Sequence, residues 1–285
     1  PSRPLRARTG AGRVMTEGSQ NRPDDAPAPD VAAVMPLSAH DGEPARVETI
    51  EPVAPPPASS VAPARPRWKR FAILGAKIAL VIIALPLVLT PIYWIVPPIS
   101  TLMLWSAITF QGMDRDWVAF DDISPNVGNA VTMSEDGQFC AHNGVDWNQL
   151  ESVLSREGGP SRGASTIPMQ TVKNLYLWPS RSYLRKGLEI PLALYADFIW
   201  SKRRLMEIYL NIAQWGPGLF GVEAAAQHYF KKPAKALSAR EGALLAAALP
   251  NPILRNPGKP SRALQAHARI IQRRASQAGP YVDCM

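Results

Sequence analysis

A long apolar run from Phe71 to about Val96 constrains this chain more than any other feature. It exceeds the roughly 20 residues that a helix needs to cross the hydrocarbon core of a bilayer. Lys77 is its one charged residue and lies near the basic end, where a long side chain can reach the headgroups. A cleaved signal peptide is the rival interpretation, but the run is too long and too far along the chain. The sequence therefore predicts a transmembrane anchor over residues 67–97.

Basic residues between Arg65 and Arg70 precede this run. Because Lys and Arg are enriched on the cytoplasmic side of membrane helices, we expect the chain before the run to be cytoplasmic and the chain after it to lie outside. Residues 1–66 are rich in Pro and Ala and contain few large apolar side chains. Such a segment cannot bury enough surface to offset its chain entropy, so we predict a disordered cytoplasmic tail.

Residues 1–66 carry 7 basic and 8 acidic side chains, which leaves a formal charge of about +9 on residues 67–285. A basic surface indicates an anionic partner, such as lipid headgroups or a phosphorylated substrate. Nucleic acid is not expected for a domain outside the membrane. The two cysteines are too few for a disulfide framework and lack metal-binding spacing. We expect Cys140 to be buried and free, and Cys284 to lie in a frayed tail.

Residues 98–121 are predicted to form a juxtamembrane segment. Its apolar stretch Ser100–Phe110 is too short to cross the bilayer again, so it lies in the interface or packs as a core helix. Residues 122–278 have helical periodicity and few strand signals, which predicts a mainly α domain without repeats. The predicted helices are Asn129–Glu135, Ser165–Leu175, Tyr183–Trp200, Lys202–Ala213, Gly221–Tyr229, Gly242–Leu249 (after a capping box at Ser238) and Ser261–Ala278.

The stretch from Ser134 to Asp146 is the most distinctive part of this domain, with adjacent acids Glu135 and Asp136 ahead of His142. A carboxylate held beside a like charge and partly desolvated has a raised pKa, which suits proton transfer near neutral pH. A Glu-Asp pair alone is more often a solvated turn. The spacing Glu-Asp-x-x-Phe-x-x-His-x-Gly-x-Asp is too specific for that interpretation.

Four motifs, in this order, resemble those of the peptidoglycan glycosyltransferases, the domain also found in class A penicillin-binding proteins. They are Glu135–Asp146, Gly163–Asn174, Arg185–Glu189 and Lys202–Asn211. The resemblance covers roughly residues 123–274 and includes the preceding anchor. It implies a lysozyme-like α-helical fold in two lobes, the smaller one contacting the membrane. It also implies polymerisation of lipid II into β-1,4-linked glycan strands, with release of undecaprenyl pyrophosphate, on the periplasmic side of the bacterial inner membrane.

By this resemblance, Glu135 would be the general base for the acceptor's 4-hydroxyl as that oxygen attacks C1 of the donor with inversion. Glu189 would be a second essential acid, near the leaving phosphates or a bound divalent cation (Mg²⁺ or Mn²⁺). No tightly bound cofactor is expected. From the residues alone, the Arg185–Glu189 pair at i,i+4 would be a simple surface salt bridge.

A departing pyrophosphate calls for fixed positive charge that stabilises the transition state. The cationic candidates are Lys173, Arg181, Arg185 and Lys186. Three polar residues around a predicted helix N-terminus suit hydrogen bonding to sugar or phosphate. They are Ser165, Thr166 and Gln170. The predicted supporting residues are Asp136, His142 and Asn174. Of these, His142 is expected to be a hydrogen-bonding residue rather than a metal ligand, because no second ligand lies at ligand spacing.

Some features depart from the family pattern or fall outside its chemistry. Pro191 follows Glu189 closely and predicts a local kink. Ala266 stands where the last family motif usually has an arginine. Glu207 and Asn211 are expected to brace the cleft rather than to act in catalysis.

Two other functions stay open at this point, and a third is disfavoured. The chain contains no Ser-x-x-Lys or Lys-Thr-Gly, so a transpeptidase activity is not expected. A lytic transglycosylase or muramidase could use the same scaffold, but it needs no phosphate clamp. A catalytically silent partner of the division or elongation machinery is the other alternative, although the intact acids argue against it. Proteins of that machinery, and membrane lipid, are the further partners we consider.

Overall fold

A computed structural model describes residues 67–155, 165–179 and 182–285. The predicted tail and Arg181 lie outside these residues. The helices of the described residues, in chain order, are α1 (Arg67–Ile92), α2 (Thr101–Ile108), α3 (Pro125–Glu135), α4 (Trp147–Leu154), α5 (Ile167–Tyr176), α6 (Tyr183–Ile199), α7 (Lys202–Ile212), α8 (Val222–Phe230), α9 (Ala239–Ala248) and α10 (Arg262–Ala275). Short 3₁₀ turns cover Phe120–Asp122, Ala234–Ala236 and Gly279–Tyr281. The predicted mainly α fold is confirmed.

Helix α1 is long and apolar enough to cross a membrane, and most of its side chains are exposed. An apolar helix that its own protein leaves uncovered fits a membrane anchor. Its end is attached to the rest of the fold. Thr90 forms a 2.9 Å hydrogen bond with the hydroxyl of Tyr176, and the indole of Trp200 donates to the Thr90 carbonyl at 2.8 Å.

Helix α2, in the predicted juxtamembrane segment, has one packed face and one exposed apolar face. Thr101 at its start donates to the carbonyl of Leu177 at 2.6 Å, and Met103 is fully buried, so one face packs against α5. Trp105 and Ile108 are exposed on the other side. The segment is therefore a docked helix that also presents apolar surface.

The core is built where α3 packs against α9 and α10, and where α5 packs against α6 and α7. Gly242 allows the first contact, because a Cβ there would lie 2.9 Å from the carbonyl oxygen of Asn126. Trp215, Tyr209 and Phe139 are the largest fully buried side chains. The site described below lies between these two groups of helices.

A small sheet connects α7 with the segment after α2. Its strands are β1 (Asp114–Arg115), β2 (Gln214–Gly216) and β3 (Leu219–Phe220), in the order β1-β3-β2. β3 pairs parallel to β1 and antiparallel to β2. Asn211, predicted to brace the cleft, is fully buried and exchanges hydrogen bonds of 3.0 and 2.9 Å with the backbone of Val118, beyond β1. Glu207 pairs with Arg204 and accepts from a backbone N–H at 3.3 Å.

The predicted helices are present, with some ends displaced. α3 begins at Pro125, four residues before the predicted start, and α4 was not predicted at all. The capping box at Ser238 is present, with Glu241 as its partner. α6 includes Pro191 in its interior, as the predicted span Tyr183–Trp200 does, and the kink expected at Pro191 stays a prediction.

The prediction that Cys140 is free and Cys284 frayed was wrong. The two form a disulfide, with their Cα atoms 5.6 Å apart and 144 residues between them in sequence. The physical reason is that α10 packs against α3, which returns the C-terminus to the loop after α3. Met285 lies there too, its sulfur 3.8 Å from the hydroxyl of Thr132. Proximity of this kind decides whether two cysteines can bond.

Candidate active site

Glu135 is the last residue of α3 and is largely withdrawn from solvent. Its carboxylate accepts hydrogen bonds from Gln170 at 3.2 Å and from the hydroxyl of Ser134 at 3.3 Å. Burial raises the pKa of Glu135 above its ordinary value. The two hydrogen bonds and the positive charges of Lys173 and Arg255 oppose that rise in the pKa without cancelling it. A carboxylate in this state can accept a proton near neutral pH.

Gln170 is held from behind by Tyr209 of α7, whose hydroxyl donates to the amide oxygen at 3.1 Å. Tyr209 is fully buried, and burial raises its pKa well above the ordinary value, with the nearby charges of Glu135 and Asp136 adding to the rise. It is therefore a neutral donor. The amide of Gln170 thus contacts two protein groups, a connection that the predicted ligand role had not included.

Asp136 fixes the loop that follows Glu135. Its buried carboxylate contacts Nε2 of His142 at 2.9 and 3.0 Å and accepts the backbone N–H of Ile167 at 2.8 Å. Lys202 donates to the backbone carbonyl of His142 at 2.6 Å and lies over the ring of Phe139. His142 is thus part of a hydrogen-bonded support for the loop, as predicted.

The start of α5 is joined to the same region. Thr166 caps this helix, and its buried hydroxyl donates to the carbonyl of Gly144 at 2.6 Å. Ser165 accepts a hydrogen bond from the ammonium of Lys186 at 2.6 Å. The second and third motifs therefore meet at this point. The Thr166 hydroxyl makes structural hydrogen bonds within the protein.

Glu189 lies on α6 with only 2% of its side chain exposed, and it forms ion pairs with Arg185 and, at 3.0 Å, with Lys186. A simple surface salt bridge is therefore excluded. Lys173 faces this cluster from α5. Burial lowers the pKa of Lys173; Glu189 and Glu135 counteract that effect, while the neighbouring cations add to it. Lys173 thus interacts electrostatically with both acids.

A cavity of about 190 Å³ opens beside Lys173. Asn174 and Arg185 also line it, and Leu102 of α2 contributes to an apolar wall with Trp178. The cavity brings together Lys173, Asn174 and Arg185 of the predicted site. Lys186 joins them through its ion pair with Glu189, and Arg181 lies outside the described residues. The cavity combines fixed positive charge with an apolar wall supplied by the juxtamembrane helix.

Two residues around Glu135 escaped the sequence prediction. Tyr209 was interpreted only as part of a motif, because its spacing is that of a buried helix face. Arg255 follows Pro250 and Pro252 in the segment after α9. Its guanidinium donates to the carbonyl of Ala247 at 2.7 Å, and its charge acts on Glu135. The position of Arg255 between prolines after a helix was the sequence signal that could have indicated a role in the site.

The half-buried carboxylate of Glu135, the buried acid Glu189 and the cations paired with it fit an enzyme that transfers a group from a phosphorylated donor. Comparison with known proteins agrees. Residues 104–276 match the Transglycosylase family. The chain therefore belongs to the transglycosylase family and is a glycosyltransferase, which confirms the resemblance found in its motifs.

Several relatives share one name, biosynthetic peptidoglycan transglycosylase. That of Agrobacterium fabrum is 58% identical over 222 residues, which covers 75% of this chain and 98% of the relative. That of Brucella suis is 56% identical, covering 76% of this chain and 99% of the relative. That of Mesorhizobium japonicum is 54% identical, covering 77% and 94%.

Proposed function

We propose that this chain is a membrane-anchored peptidoglycan glycosyltransferase that polymerises lipid II into β-1,4-linked glycan strands and releases undecaprenyl pyrophosphate. The observation that carries the proposal is the arrangement around Lys173. Lys173 interacts electrostatically with both a half-buried carboxylate of raised pKa, Glu135, and a buried, cation-bound acid, Glu189. A proton acceptor and an anion site are the two parts that this transfer needs.

Glu135 is the general base in this mechanism. It removes the proton from the acceptor's 4-hydroxyl while that oxygen bonds to C1 of the donor sugar. The bond from C1 to the phosphate oxygen breaks on the opposite face, its electron pair leaves with the pyrophosphate, and the anomeric centre inverts. Gln170 and Tyr209 hold the carboxylate in place, so they are positioning residues.

The leaving pyrophosphate is assigned to the cavity beside Lys173. Lys173, Arg185 and Lys186 stabilise the negative charge that grows on the leaving oxygens. Glu189 holds two of these cations in place by ion pairs, which keeps them arranged before substrate binds. The apolar wall suits the first part of a lipid chain. Ser165 and Arg181 remain predicted ligands, and Asn174 remains a predicted supporting residue.

A divalent cation at the pyrophosphate is the one added group that the family resemblance implies. Glu189 is a single carboxylate already shared by Arg185 and Lys186. Among the described residues, no three His, Cys, Asp or Glu side chains gather where they could hold a metal. Cations are poor neighbours for a metal ligand. The donor set does not fit a resident metal, so we assign no step to one.

The proposed location is the bacterial inner membrane, with a cytoplasmic tail (1–66), an anchor (67–97), a juxtamembrane segment (98–121) and a periplasmic catalytic domain (122–278). The basic residues at the start of α1, Arg67, Lys69 and Arg70, support this orientation. The disulfide supports it independently, because such bonds persist in oxidising compartments such as the periplasm. Contacts with division or elongation proteins stay a prediction.

Incubation of the purified full-length protein with lipid II, and separately with purified cell wall, tests this function. We expect polymer and undecaprenyl pyrophosphate from lipid II and no soluble fragments from the wall. Release of wall fragments without polymer would instead establish a lytic enzyme. If correctly folded protein gives neither product, a catalytically silent partner protein would be favoured.

A further inference from the structure

Two adjoining cavities lie between α3, α9 and α10, apart from the candidate active site. Their volumes are about 520 and 370 Å³, both larger than the cavity of about 190 Å³ beside Lys173. Both are lined by Arg269 and Gln272, so they adjoin, and we call the two together the α10 groove. Polar side chains line the groove, and the transfer reaction gives them no role.

Three guanidinium groups line the α10 groove, those of Arg240, Arg269 and Arg273, and no carboxylate does. None of the three has an ion pair or a side-chain hydrogen bond within the described residues. The neighbouring acid, Glu241, is already paired with Lys232 at 3.0 Å and used in the cap of α9. Like charges one turn apart, as on α10, destabilise a helix, and a bound anion would remove that repulsion.

The groove also contains amide side chains, those of Asn126, Asn129 and Gln272. A guanidinium group binds a carboxylate through two parallel hydrogen bonds, and amides pair with the amide groups of peptides and acetylated sugars. The combination fits a carboxylate-bearing peptide attached to a glycan. A lipid headgroup fits less well, because the membrane helix α1 packs on α6, whereas the groove is formed by α3, α9 and α10.

We propose that the α10 groove binds the carboxylates of the stem peptides on peptidoglycan strands. Nine residues separate Asn126 from Glu135 on α3, which places them on opposite faces of the helix. A strand in the groove is therefore distinct from the one that Glu135 extends. The groove would hold the enzyme against existing cell wall. This inference rests on the proposed function, because it takes the wall as the partner.

Co-sedimentation of the purified full-length protein with cell-wall sacculi tests the proposal. We expect binding to intact sacculi and about tenfold weaker binding to sacculi stripped of their peptides by an amidase. The triple variant Arg240→Gln, Arg269→Gln, Arg273→Gln should lose about tenfold on intact sacculi, since each exposed contact contributes modestly. Equal binding to both kinds of sacculi, or undiminished binding by the triple variant, would overturn the proposal.

A matched control removes the same charge outside the groove. Lys259, Arg262 and Arg274 are exposed and do not line either cavity. The triple variant Lys259→Gln, Arg262→Gln, Arg274→Gln should bind intact sacculi within about twofold of the wild type, because general attraction between opposite charges should contribute little. A loss as large as that of the groove variant would show non-specific charge attraction and refute a built site.

Two further measurements separate the remaining explanations. Displacement of the wild type from sacculi by a soluble short-chain anionic phospholipid, in preference to a free stem tripeptide, would assign the groove to lipid and overturn the peptide assignment. The groove variant should polymerise lipid II at the wild-type rate, and a loss there would place the groove in the catalytic machinery. A wild type that binds sacculi but never polymerises lipid II would refute the proposed function instead.

Discussion

Glu135, Gln170 and Tyr209 form a chain of hydrogen bonds from the interior of α7 to the end of α3. Tyr209 donates to the amide oxygen at 3.1 Å, and the amide nitrogen donates to the carboxylate at 3.2 Å. Because a phenol proton can be accepted only by the oxygen end of an amide, Tyr209 decides which end faces Glu135. A buried residue that cannot reach the substrate thus orients the proposed base.

Tyr209→Phe should lower kcat/KM for lipid II by roughly three- to tenfold, the range for the loss of one hydrogen bond between neutral groups. The donor that stabilises the ionised carboxylate is then less well held, so the pKa of Glu135 rises further. Activity that requires ionised Glu135 should therefore begin at higher pH. A pH profile of kcat/KM measures the displacement of its acidic limb.

The control for this change is Tyr229→Phe. Tyr229 donates to the backbone carbonyl of Trp215 at 2.9 Å, and its hydroxyl makes no contact with Glu135. This variant should keep the wild-type acidic limb. If Tyr209→Phe loses activity with its acidic limb unmoved, Tyr209 serves packing alone.

At the scale of residues, the sequence predicted those site residues that belong to recognisable motifs. Glu135 and Lys173 were predicted as parts of motifs, and the structure places them together. Tyr209 and Arg255 could not be predicted as neighbours of Glu135, because a buried helix face and a proline-flanked arginine have the same local pattern in many folds. Their proximity depends on how α7 and the loop after α9 pack.

Helices α5 and α6 carry the anion site between them. Arg185 is nine-tenths buried, and Glu189 is more buried still. Removal of one member of such a pair leaves an uncompensated charge in the interior, which is strongly destabilising. The stability of α6 and the arrangement of its cations therefore depend on the same carboxylate.

Glu189→Ala should lower the free energy of unfolding by about 3–5 kcal/mol, because it breaks a buried ion pair with Arg185. Thermal unfolding of the purified protein measures this loss, and polymerisation of lipid II should fall with it. Asp122→Ala is the matched control, since Asp122 pairs with Lys235 at 3.0 Å with both side chains exposed. Such pairs contribute at most about 1 kcal/mol. Equal effects of the two changes would contradict the buried role of Glu189.

The helices themselves were largely predictable, because serine caps stand at their starts. Ser182, Ser201 and Ser261 each accept a backbone N–H in the first turn of α6, α7 and α10. The small sheet was not predictable. Its strands are two or three residues long and lack any alternating pattern, so they form only because α7 and the juxtamembrane segment meet.

For the molecule as a whole, the disulfide joins the C-terminus to the loop that follows Glu135. Cross-linking residues 144 apart restricts the unfolded chain, which stabilises the fold by about 4–5 kcal/mol in the chain-entropy account. The sequence could not predict this bond, because the bonding distance depends on the packing of α10 on α3. Two cysteines in a chain are equally compatible with free thiols.

A reductant should therefore lower the unfolding temperature of the wild type by roughly 10 °C. The double variant Cys140→Ser, Cys284→Ser should unfold at that lower temperature with or without reductant. If the thiols of the wild type become titratable but its unfolding temperature does not change with reductant, the bond contributes nothing to stability.

The most direct test of the whole account is the rate of undecaprenyl pyrophosphate release from lipid II by full-length Glu135→Gln. This change keeps the shape of the side chain and removes its ability to accept a proton. We predict no release above background, with unfolding temperature and membrane insertion unchanged, while Glu151→Gln on the exposed face of α4 stays fully active. Release by Glu135→Gln at a rate near that of the wild type would contradict the assignment of the base.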